Sequence, residues 1–390
     1  MSAPALPPFE FASAGRIVFG SSSSKSLGER CAKLGRRALV ITGKDALRSA
    51  PLVRQLKLAG LELQTFSVAG EPRVADALAA VALGKQLAPE LIVACGGGSV
   101  LDLGKAAAAL LANPQDPFEY LEVVGRARPL GRPALPLVAV PTTAGTGAEV
   151  TKNAVLASPE HGVKASLRHD SMLPAIALVD PELTLTMPPA VTAATGLDAL
   201  TQCLEPYVSC QSNPLTDAIA LEGLRRGAGA LRRAFEHGDD LAAREDMALC
   251  SLFGGLALAN AKLGAVHGFA APIGGQFESP HGAVCARLLP LVMASNLRAL
   301  RERAPGSAAL ARFDVVARTL RGSATARAED GIAFVQELAD HLRIPGLARY
   351  GMTSADVSSL ATKAAAASSM KGNPLVLSHT ELCDILVRAL

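Results

Sequence analysis

Tryptophan is absent from this 390-residue chain, and aromatic residues together make up only 4% of it. Basic residues are scattered along the sequence, and the formal net charge is +3. Aromatic platforms and basic stripes are the features with which proteins stack bases and follow a phosphate backbone. Their absence argues against a nucleic-acid partner, and we expect a small-molecule substrate instead.

The seven cysteines are dispersed, odd in number and without a C-x-x-C pair. This pattern argues against a disulfide framework and against a thiolate zinc site. The amino terminus shows no basic-then-apolar signal pattern. Apolar runs also stay shorter than the roughly 20 residues that span a bilayer. We therefore expect reduced cysteines in a cytoplasmic protein without membrane attachment.

Strand and helix patterns alternate through the first half of the chain. Strands are predicted at 16–20, 38–42, 62–68, 91–95, 136–140 and 175–179, and helices at 26–34, 49–58 and 74–87. Such alternation predicts an α/β domain with a parallel sheet covered on both faces. The break at 187–189 marks the predicted boundary, because helical patterns dominate beyond it. The chain is long enough for two domains, predicted at 1–188 and 189–390.

Three glycines and a serine interrupt the apolar pattern at 96–99 before helical spacing resumes. The pattern predicts a strand, a tight turn and a helix. Consecutive glycines permit close approach of a ligand and unusual dihedral angles, and the helix start offers unpaired N–H groups. A phosphate seat fits these features, but the spacing matches neither G-x-G-x-x-G nor the P-loop. A structural glycine turn is an equal alternative.

A hydroxyl-rich loop at 141–151 follows another predicted strand and precedes a predicted helix. Its four threonines and two glycines suit ribose and phosphate oxygens, and a capped turn is the alternative. Gly43 and Glu71 also follow predicted strands. Because ligands bind beyond the carboxyl ends of parallel strands, we expect these segments to converge on one crevice.

The second half contains three places with metal-capable side chains. Asp198 and Gln202 lie four residues apart on one predicted helix face, His267 lies among small and apolar residues, and His281 lies between helix breakers. One carboxylate and two imidazoles are a usual ligand set for Zn²⁺ or Fe²⁺ that leaves a position for a substrate oxygen. On spacing alone, a satisfied core histidine and a helix-terminal carboxylate are the alternatives.

The motifs occur in a specific order: 96–99 with Asp102 and Lys105, then 141–151, 195–200, 267–268 and 280–282. The set resembles the iron-containing (group III) alcohol dehydrogenases over nearly the whole chain. The resemblance implies a dinucleotide-binding α/β domain and an all-helical metal and substrate domain, as in dehydroquinate synthase and glycerol dehydrogenase. It also implies that the cofactor lies in the cleft between the domains, and it suggests a homodimer.

The resemblance further implies individual site residues. It places the pyrophosphate of NAD or NADP at 97–99 and the nicotinamide near 164 and 183. The expected contacts of the cofactor are Gly43, Glu71, Gly97, Gly98, Ser99, Asp102, Thr142, Thr143, Thr146, Thr151, Lys164 and Leu183. The expected catalytic divalent metal, Fe²⁺ or Zn²⁺, would be held by Asp198, Gln202, His267 and His281.

Three positions depart from the family pattern. Gln202 stands where the family usually has a histidine ligand, so the site gains a weaker, neutral ligand or favours zinc. Ala271 stands where many members have a histidine assigned to proton transfer. Gly43 and Lys44 follow the second strand, where NAD-preferring members have an aspartate that bonds the ribose. We therefore expect NADPH to be used at least as well as NADH.

The expected reaction is hydride transfer between nicotinamide C4 and a small alcohol or aldehyde, with the cation favouring the alkoxide. Small and apolar residues around 253–255, 267–269 and 276–277 predict an uncharged or weakly polar substrate. A metal-independent reductase of the maleylacetate type is the main alternative, because Gln202 and Ala271 weaken the metal pattern. A dehydroquinate synthase-type lyase and a non-catalytic dinucleotide-binding protein are further alternatives.

Overall fold

A computed structural model describes residues 8–390. All the strands found in this range precede residue 180, namely β1 (Ile17–Phe19), β2 (Arg37–Gly43), β3 (Glu62–Val68), β4 (Leu91–Gly96), β5 (Leu137–Pro141), β6 (Asn153–Ser158), β7 (Val163–Arg168) and β8 (Ile176–Val179). Six of them form a parallel sheet in the order β1-β8-β5-β4-β2-β3. The strands β6 and β7 pair antiparallel as a separate hairpin. The predicted α/β class is therefore confirmed.

Within residues 8–390, four α-helices accompany the strands and nine follow them. The helices are α1 (Leu27–Ala32), α2 (Ala46–Leu58), α3 (Val74–Leu87), α4 (Gly98–Ala112), α5 (Pro189–Val208), α6 (Pro214–Glu236), α7 (Leu241–Asn260), α8 (Ala265–Gln276), α9 (His281–Arg303), α10 (Ala308–Arg321), α11 (Ala328–His341), α12 (Val357–Ala366) and α13 (His379–Ala389). The predicted helical half is confirmed from Pro189 onward, where α5 begins with a proline in its first turn.

Apolar side chains bury both faces of the sheet. Leu39 and Ile41 of β2 belong to one core, and the alternating Ala38 and Val40 belong to another core on the opposite face. A parallel strand that is covered on both sides has a continuous apolar sequence, which explains why the strand predictions at these segments were accurate. A larger core fills the helical half, with α5 and α9 both extensively buried.

The glycine turn has the predicted strand-turn-helix form, because β4 ends at Gly96 and α4 begins at Gly98. Left-handed dihedral angles are not the reason for the glycines, since Gly97 has φ of −75°. Close packing is the reason. A Cβ at Gly98 would lie 2.8 Å from Thr146 Cγ2, and a Cβ at Gly97 would lie 3.3 Å from the Thr143 side chain. The glycines therefore let the threonine loop lie against the start of α4.

The helix predicted after the threonine loop is not present. A single 3₁₀ turn at Ala148–Val150 is followed at once by β6. Lys105 explains part of this difference, because its Nζ donates to Thr151 Oγ1 at 2.7 Å and to the Asn153 carbonyl at 2.9 Å. These bonds hold the chain extended where it leaves the turn, and the β6–β7 hairpin packs against α4 instead.

By length and composition, α9 could cross a membrane, and within the described range no other single helix meets that test. In this fold, 83% of its qualifying segment is buried among other residues of the chain. The bent pair of α7 and α8, with 96° between the two helices, meets the test only if the two are counted together. An apolar helix enclosed by its own chain is what the core of a helical domain requires.

Candidate metal and cofactor cleft

A cleft of about 950 Å³ runs between the sheet edge and the helical half. Its lining includes most of the residues predicted from the sequence, namely Glu71, Gly97, Gly98, Ser99, Asp102, Thr143, Thr146, Thr151, Lys164, Asp198, Gln202, His267 and His281. The carboxyl ends of the strands thus face the helices that carry the candidate metal ligands. The expected convergence on one crevice is present for Glu71, the glycine turn and the threonine loop, but not for Gly43.

Three predicted cofactor residues, Gly43, Thr142 and Leu183, are not part of this lining. Gly43 ends β2 at an open edge, where a Cβ would meet no atom within 4 Å. Thr142 extends the pairing of β4 and β5 by donating its N–H to the Gly96 carbonyl at 3.0 Å. Leu183 packs against the apolar core under the sheet. A cofactor role for these three residues stays a prediction.

The lining carboxylates Glu71 and Asp102 both have partners in the protein. Glu71 forms an ion pair with Lys164, with 3.3 Å between Oε2 and Nζ. Asp102 accepts the N–H of Val155 at 3.2 Å and lies 3.7 Å from Lys105 Nζ. Asp102 therefore holds the β6–β7 hairpin against α4 in addition to lining the cleft.

The candidate metal ligands come from three helices and meet at one point. Asp198 lies on α5, His267 on α8 and His281 at the start of α9. Asp198 Oδ1 is 3.3 Å from His267 Nε2 and 3.8 Å from His281 Nε2. Burial alone would raise the pKa of Asp198, but the facing histidines hold it at about 2. The carboxylate is therefore anionic at neutral pH.

Glu205, which the sequence reasoning missed, fixes the orientation of His267. It lies on the same face of α5 as Asp198, and its Oε2 is 2.7 Å from His267 Nδ1. Its other oxygen accepts the N–H of Val266 at 2.7 Å. A carboxylate on Nδ1 keeps the proton on that nitrogen and leaves the lone pair of Nε2 for a cation. The 198, 202, 205 spacing was the available signal.

The buried atoms at this point fit a cation. Within the described chain, Asp198 Oδ1, Gln202 Oε1 and His267 Nε2 are buried without a hydrogen-bond partner. Leaving several such atoms unpaired is costly, because each has lost its contacts with water. A divalent ion would satisfy acceptors that nothing else in the protein satisfies. The residues present therefore fit the metal that the sequence predicted.

The structure changes the predicted ligand set at Gln202 and adds Cys285 to it. Gln202 donates its Nε2 hydrogen to Asp198 Oδ2 at 2.9 Å. Cys285, which the sequence reasoning placed among reduced core cysteines, lies within the same cluster as Asp198, His267 and His281. The four candidate ligand atoms all lie within 4.8 Å of one another. The signal in the sequence was the four-residue spacing of His281 and Cys285 on one helix.

The uncharged-substrate prediction was based on small and apolar segments, and the aromatic residues of these segments do not line the cleft. Phe269 is fully buried in the helical core, and Phe253 and Phe277 pack against apolar clusters. Substrate polarity therefore stays a prediction, because apolar sequence near a ligand can equally belong to the core. The lining includes basic residues that the sequence reasoning did not select, namely Arg168, Lys262, Arg343 and Arg349.

Two family models match the chain and together cover most of it. The model described as iron-containing alcohol dehydrogenase matches residues 14–181. The model described as the C-terminal part of the Fe-containing alcohol dehydrogenase family matches residues 192–390. The chain belongs to the iron-containing alcohol dehydrogenase family. The activity of this family is a metal-dependent, nicotinamide-linked interconversion of alcohol and aldehyde.

Some known members of the family are similar to this chain along nearly their whole length. The 1,3-propanediol dehydrogenase of Klebsiella pneumoniae is 36% identical over 380 residues, which cover 95% of this chain and 96% of the relative. The NAD-dependent methanol dehydrogenase of Bacillus methanolicus is 33% identical over 383 residues, which cover 96% and 97%. A crystal structure of 1,3-propanediol oxidoreductase superposes with a TM-score of 0.91 at 33% identity and covers 98% of this chain and all of that one.

Proposed function

We propose that this family member reduces small aldehydes with NADPH, and oxidises the corresponding alcohols, at the cleft between its α/β and helical halves. The observation that carries the proposal is the convergence of Asp198, His267 and His281 at the wall of a cleft that also contains the glycine turn. These three residues would hold a divalent cation, with Gln202 beside them. When bound, such a cation would supply Lewis acidity to the oxygen of the substrate.

The sheet edge supplies the groups for the cofactor. The start of α4 points its unpaired N–H groups and its positive dipole end into the cleft at Gly98 and Ser99, where a pyrophosphate is favoured. The side chains of Thr143 and Thr146 line the same wall. Lys164 and its partner Glu71 would lie toward the nicotinamide. Binding between the halves would exclude water and protect the hydride.

A side chain for proton transfer is missing at one family position, because Ala271 lines the cleft with a methyl group. A methyl group neither accepts nor donates a proton. The proton would therefore leave through water, a cofactor ribose hydroxyl or another side chain. The residues around the metal site would still orient the substrate, so this change would affect the route of the proton and not the hydride step.

The cofactor preference is proposed from Gly43 and Lys44 at the end of β2. β2 ends at Gly43, which has no carboxylate to repel a 2′-phosphate, and the ammonium group of Lys44 follows it. The next residue, Asp45, uses its carboxylate to accept the N–H of Leu47 as the cap of α2. Gly43→Asp should raise the KM for NADPH by at least tenfold and change the KM for NADH much less. Steady-state kinetics with each cofactor measure both values. Efficient turnover of NADH by the unmodified protein, with none of NADPH, would refute the preference.

Metal dependence is tested by following NADPH oxidation with a panel of short aldehydes on chelator-treated protein, before and after addition of Fe²⁺ or Zn²⁺. Because basic side chains line the cleft, the panel should include aldehydes with a carboxylate. Turnover restored by metal supports the proposal, and His267→Ala should abolish the restoration. Turnover that never needed a metal would favour the maleylacetate reductase type instead.

We also propose the arrangement and setting of the protein. The two halves would be domains divided near residue 188, the protein would be a cytoplasmic homodimer, and its partners would be a small alcohol or aldehyde and no nucleic acid. The division rests on the confinement of the described strands to residues before 180. Light scattering of the purified protein should give twice the 40.0 kDa chain mass. A monomer at micromolar concentration would contradict the dimer.

A further inference from the structure

We propose that Cys285 is a ligand of the cation site, so that Asp198, His267, His281 and Cys285 form a carboxylate, bis-imidazole and thiolate set that selects Zn²⁺ over Fe²⁺. This inference rests on the proposed function, because it concerns the same site. Neither the family resemblance nor the three-ligand argument assigns a role to this cysteine.

The position of Cys285 fits coordination. It lies one turn after His281 on α9, and its Sγ is 3.7 Å from His281 Nε2. Cys285 is fully buried, and Asp198 and His267 beside it are almost fully buried. Around a tetrahedral zinc, ligand atoms at normal bond lengths lie about 3.3–3.6 Å apart. The distances from Asp198 Oδ1 to the two histidine nitrogens, 3.3 and 3.8 Å, are close to that spacing.

The unpartnered atoms show independently that the cluster faces a ligand. Asp198 Oδ1 and His267 Nε2 are buried and, in the described chain, have no hydrogen-bond partner. Each faces the space that Cys285 and His281 also border. A cysteine alone would be an ordinary core residue, but here it completes a group of four in which Asp198 and His267 each have one buried atom without a partner among the described residues.

Gln202 is the competitor for the fourth position. Its amide nitrogen donates to Asp198 Oδ2 at 2.9 Å, so it orients the carboxylate. Its own oxygen is neutral and a weak ligand, whereas a thiolate is charged and soft. Where both are in reach, we expect the sulfur to bind and the amide to act through Asp198. Gln202 is then a positioning residue.

Coordination changes the charge and the metal preference of the site. The sulfur–metal bond forms as the S–H bond breaks, and the proton leaves to bulk water. The thiolate and the Asp198 carboxylate then balance the two charges of the cation. Soft sulfur ligands favour Zn²⁺, whereas a set of imidazoles and carboxylate suits Fe²⁺ equally well. Substrate oxygen would enter as an additional ligand, since His281 keeps 34% of its side chain exposed to the cleft.

Cobalt absorption tests this assignment without an activity measurement. Apoprotein prepared with a chelator is titrated with Co²⁺, which occupies zinc sites and absorbs visible light. The unmodified protein should bind one Co²⁺ per chain and show a near-ultraviolet charge-transfer band from sulfur to cobalt. Cys285→Ser should still bind Co²⁺ but lose that band. Its affinity for Zn²⁺ should fall at least tenfold, which is about 1.4 kcal/mol, and its affinity for Fe²⁺ should fall less.

The chain offers a matched control in Cys383 on α13. Its Sγ lies 3.6 Å from Nδ1 of His379, four residues earlier, but this pair belongs to no group of three or more candidate ligands in the described residues. Cys383→Ser should keep the band and the zinc affinity. Gln202→Ala should also keep the band. If Cys285→Ser fails to fold, the presence or absence of the sulfur-to-cobalt band in the unmodified protein decides the assignment.

The two proposals fail in different ways. If the unmodified protein binds Co²⁺ without the band, and Asp198→Asn abolishes that binding, Cys285 is not a ligand but the metal site stands. If the band persists in Cys285→Ser, the thiolate assignment is also overturned. If the unmodified protein binds neither Co²⁺ nor Zn²⁺, both the assignment and the metal dependence of the proposed function are refuted.

Discussion

Glu205 controls which nitrogen of His267 faces the candidate cation. Both of its oxygens accept protein hydrogens, one from Val266 N–H and one from His267 Nδ1. In Glu205→Gln, the amide NH₂ would face one of these donors, so the imidazole would lose its fixed orientation. We expect Zn²⁺ affinity to fall about 10–100-fold, measured by competition with a chromophoric chelator.

A glutamate–histidine pair on the protein surface provides the control for that change. Glu236 and His341 are 2.7 Å apart, but both side chains are more than one third exposed. Glu236→Gln should leave Zn²⁺ affinity unchanged. Equal affinity of Glu205→Gln and the unmodified protein would show that His267 needs no support from α5.

Glu149 is buried in the 3₁₀ turn that ends the threonine loop, and it makes the free energy of unfolding depend on pH. Burial raises its pKa to about 7 from an ordinary value of 4.5, although its own backbone and Lys105 oppose the shift. Between these values the unfolded chain gives up the proton while the folded protein keeps it, so stability falls as pH rises. The total loss above pH 7 is up to about 3 kcal/mol. Glu149→Gln should remove this part of the decline.

The measurement is the denaturant midpoint of both proteins from pH 4.5 to 8, in the presence of chelator. The difference between them should grow in favour of Glu149→Gln as pH rises and level off above pH 7. Glu62→Gln, at an exposed position of β3, should run parallel to the unmodified protein. A constant difference across the range would mean that Glu149 does not titrate in this window.

Residues within one element were easier to predict than contacts between elements. Asp198, His267 and His281 carried recognisable motifs, and the structure brings them together. Glu205 and Cys285 were missed because their roles depend on which helix faces α8 and α9. The position of Phe269 in the core could not be predicted for the same reason, since its burial is decided by packing.

At the scale of elements, the junction of β4 and α4 is the feature on which the proposed cofactor binding would depend. Gly98 begins α4, and a Cβ there would lie 2.8 Å from Thr146. In Gly98→Ala, the added methyl group should push the threonine loop away from the helix start. The same methyl group should narrow the space for the phosphate. We expect NADPH affinity to fall roughly tenfold or more, about 1.4 kcal/mol, by fluorescence titration.

A glycine inside another helix provides a control that separates the loss of NADPH affinity from a change in helix propensity. Gly229 lies in α6 at an exposed position, where an added Cβ would meet no atom within 4 Å. Gly229→Ala should stabilise the protein slightly and leave NADPH affinity unchanged. Unchanged affinity of Gly98→Ala as well would place the pyrophosphate elsewhere.

Strands and helices could be predicted from local sequence periodicity where the burial of their residues follows that periodicity. The ranges of β3 and α3 match the prediction residue for residue, because alternation at 62–68 and helical spacing at 74–87 agree with their burial. The helix expected after 141–151 failed because Lys105, some 46 residues earlier, holds Thr151 in an extended chain. Such long-range bonds leave no trace in a local window.

At the scale of the whole molecule, the threonine loop joins the two halves. Ser251 on α7 accepts the N–H groups of Gly145 and Gly147 at 2.8 and 3.3 Å. Gly147 has φ of +57°, and a Cβ on it would collide with Gly255 of α7. Val150, Val179 and Leu252 form a shared apolar cluster beside this contact. The wall of the cofactor cleft is therefore also the contact between the sheet and the helices.

Gly255→Ala should weaken both functions of this contact. Its Cβ would meet the backbone of Gly147, which has to shift because neither atom belongs to a flexible side chain. We expect a loss of about 1–3 kcal/mol in the free energy of unfolding, together with weaker NADPH binding, because Thr146 moves with the loop. Gly306→Ala, in an exposed turn with open space, should change neither. Loss of stability with unchanged NADPH affinity would mean that the contact supports the fold alone and that the halves position the cofactor independently.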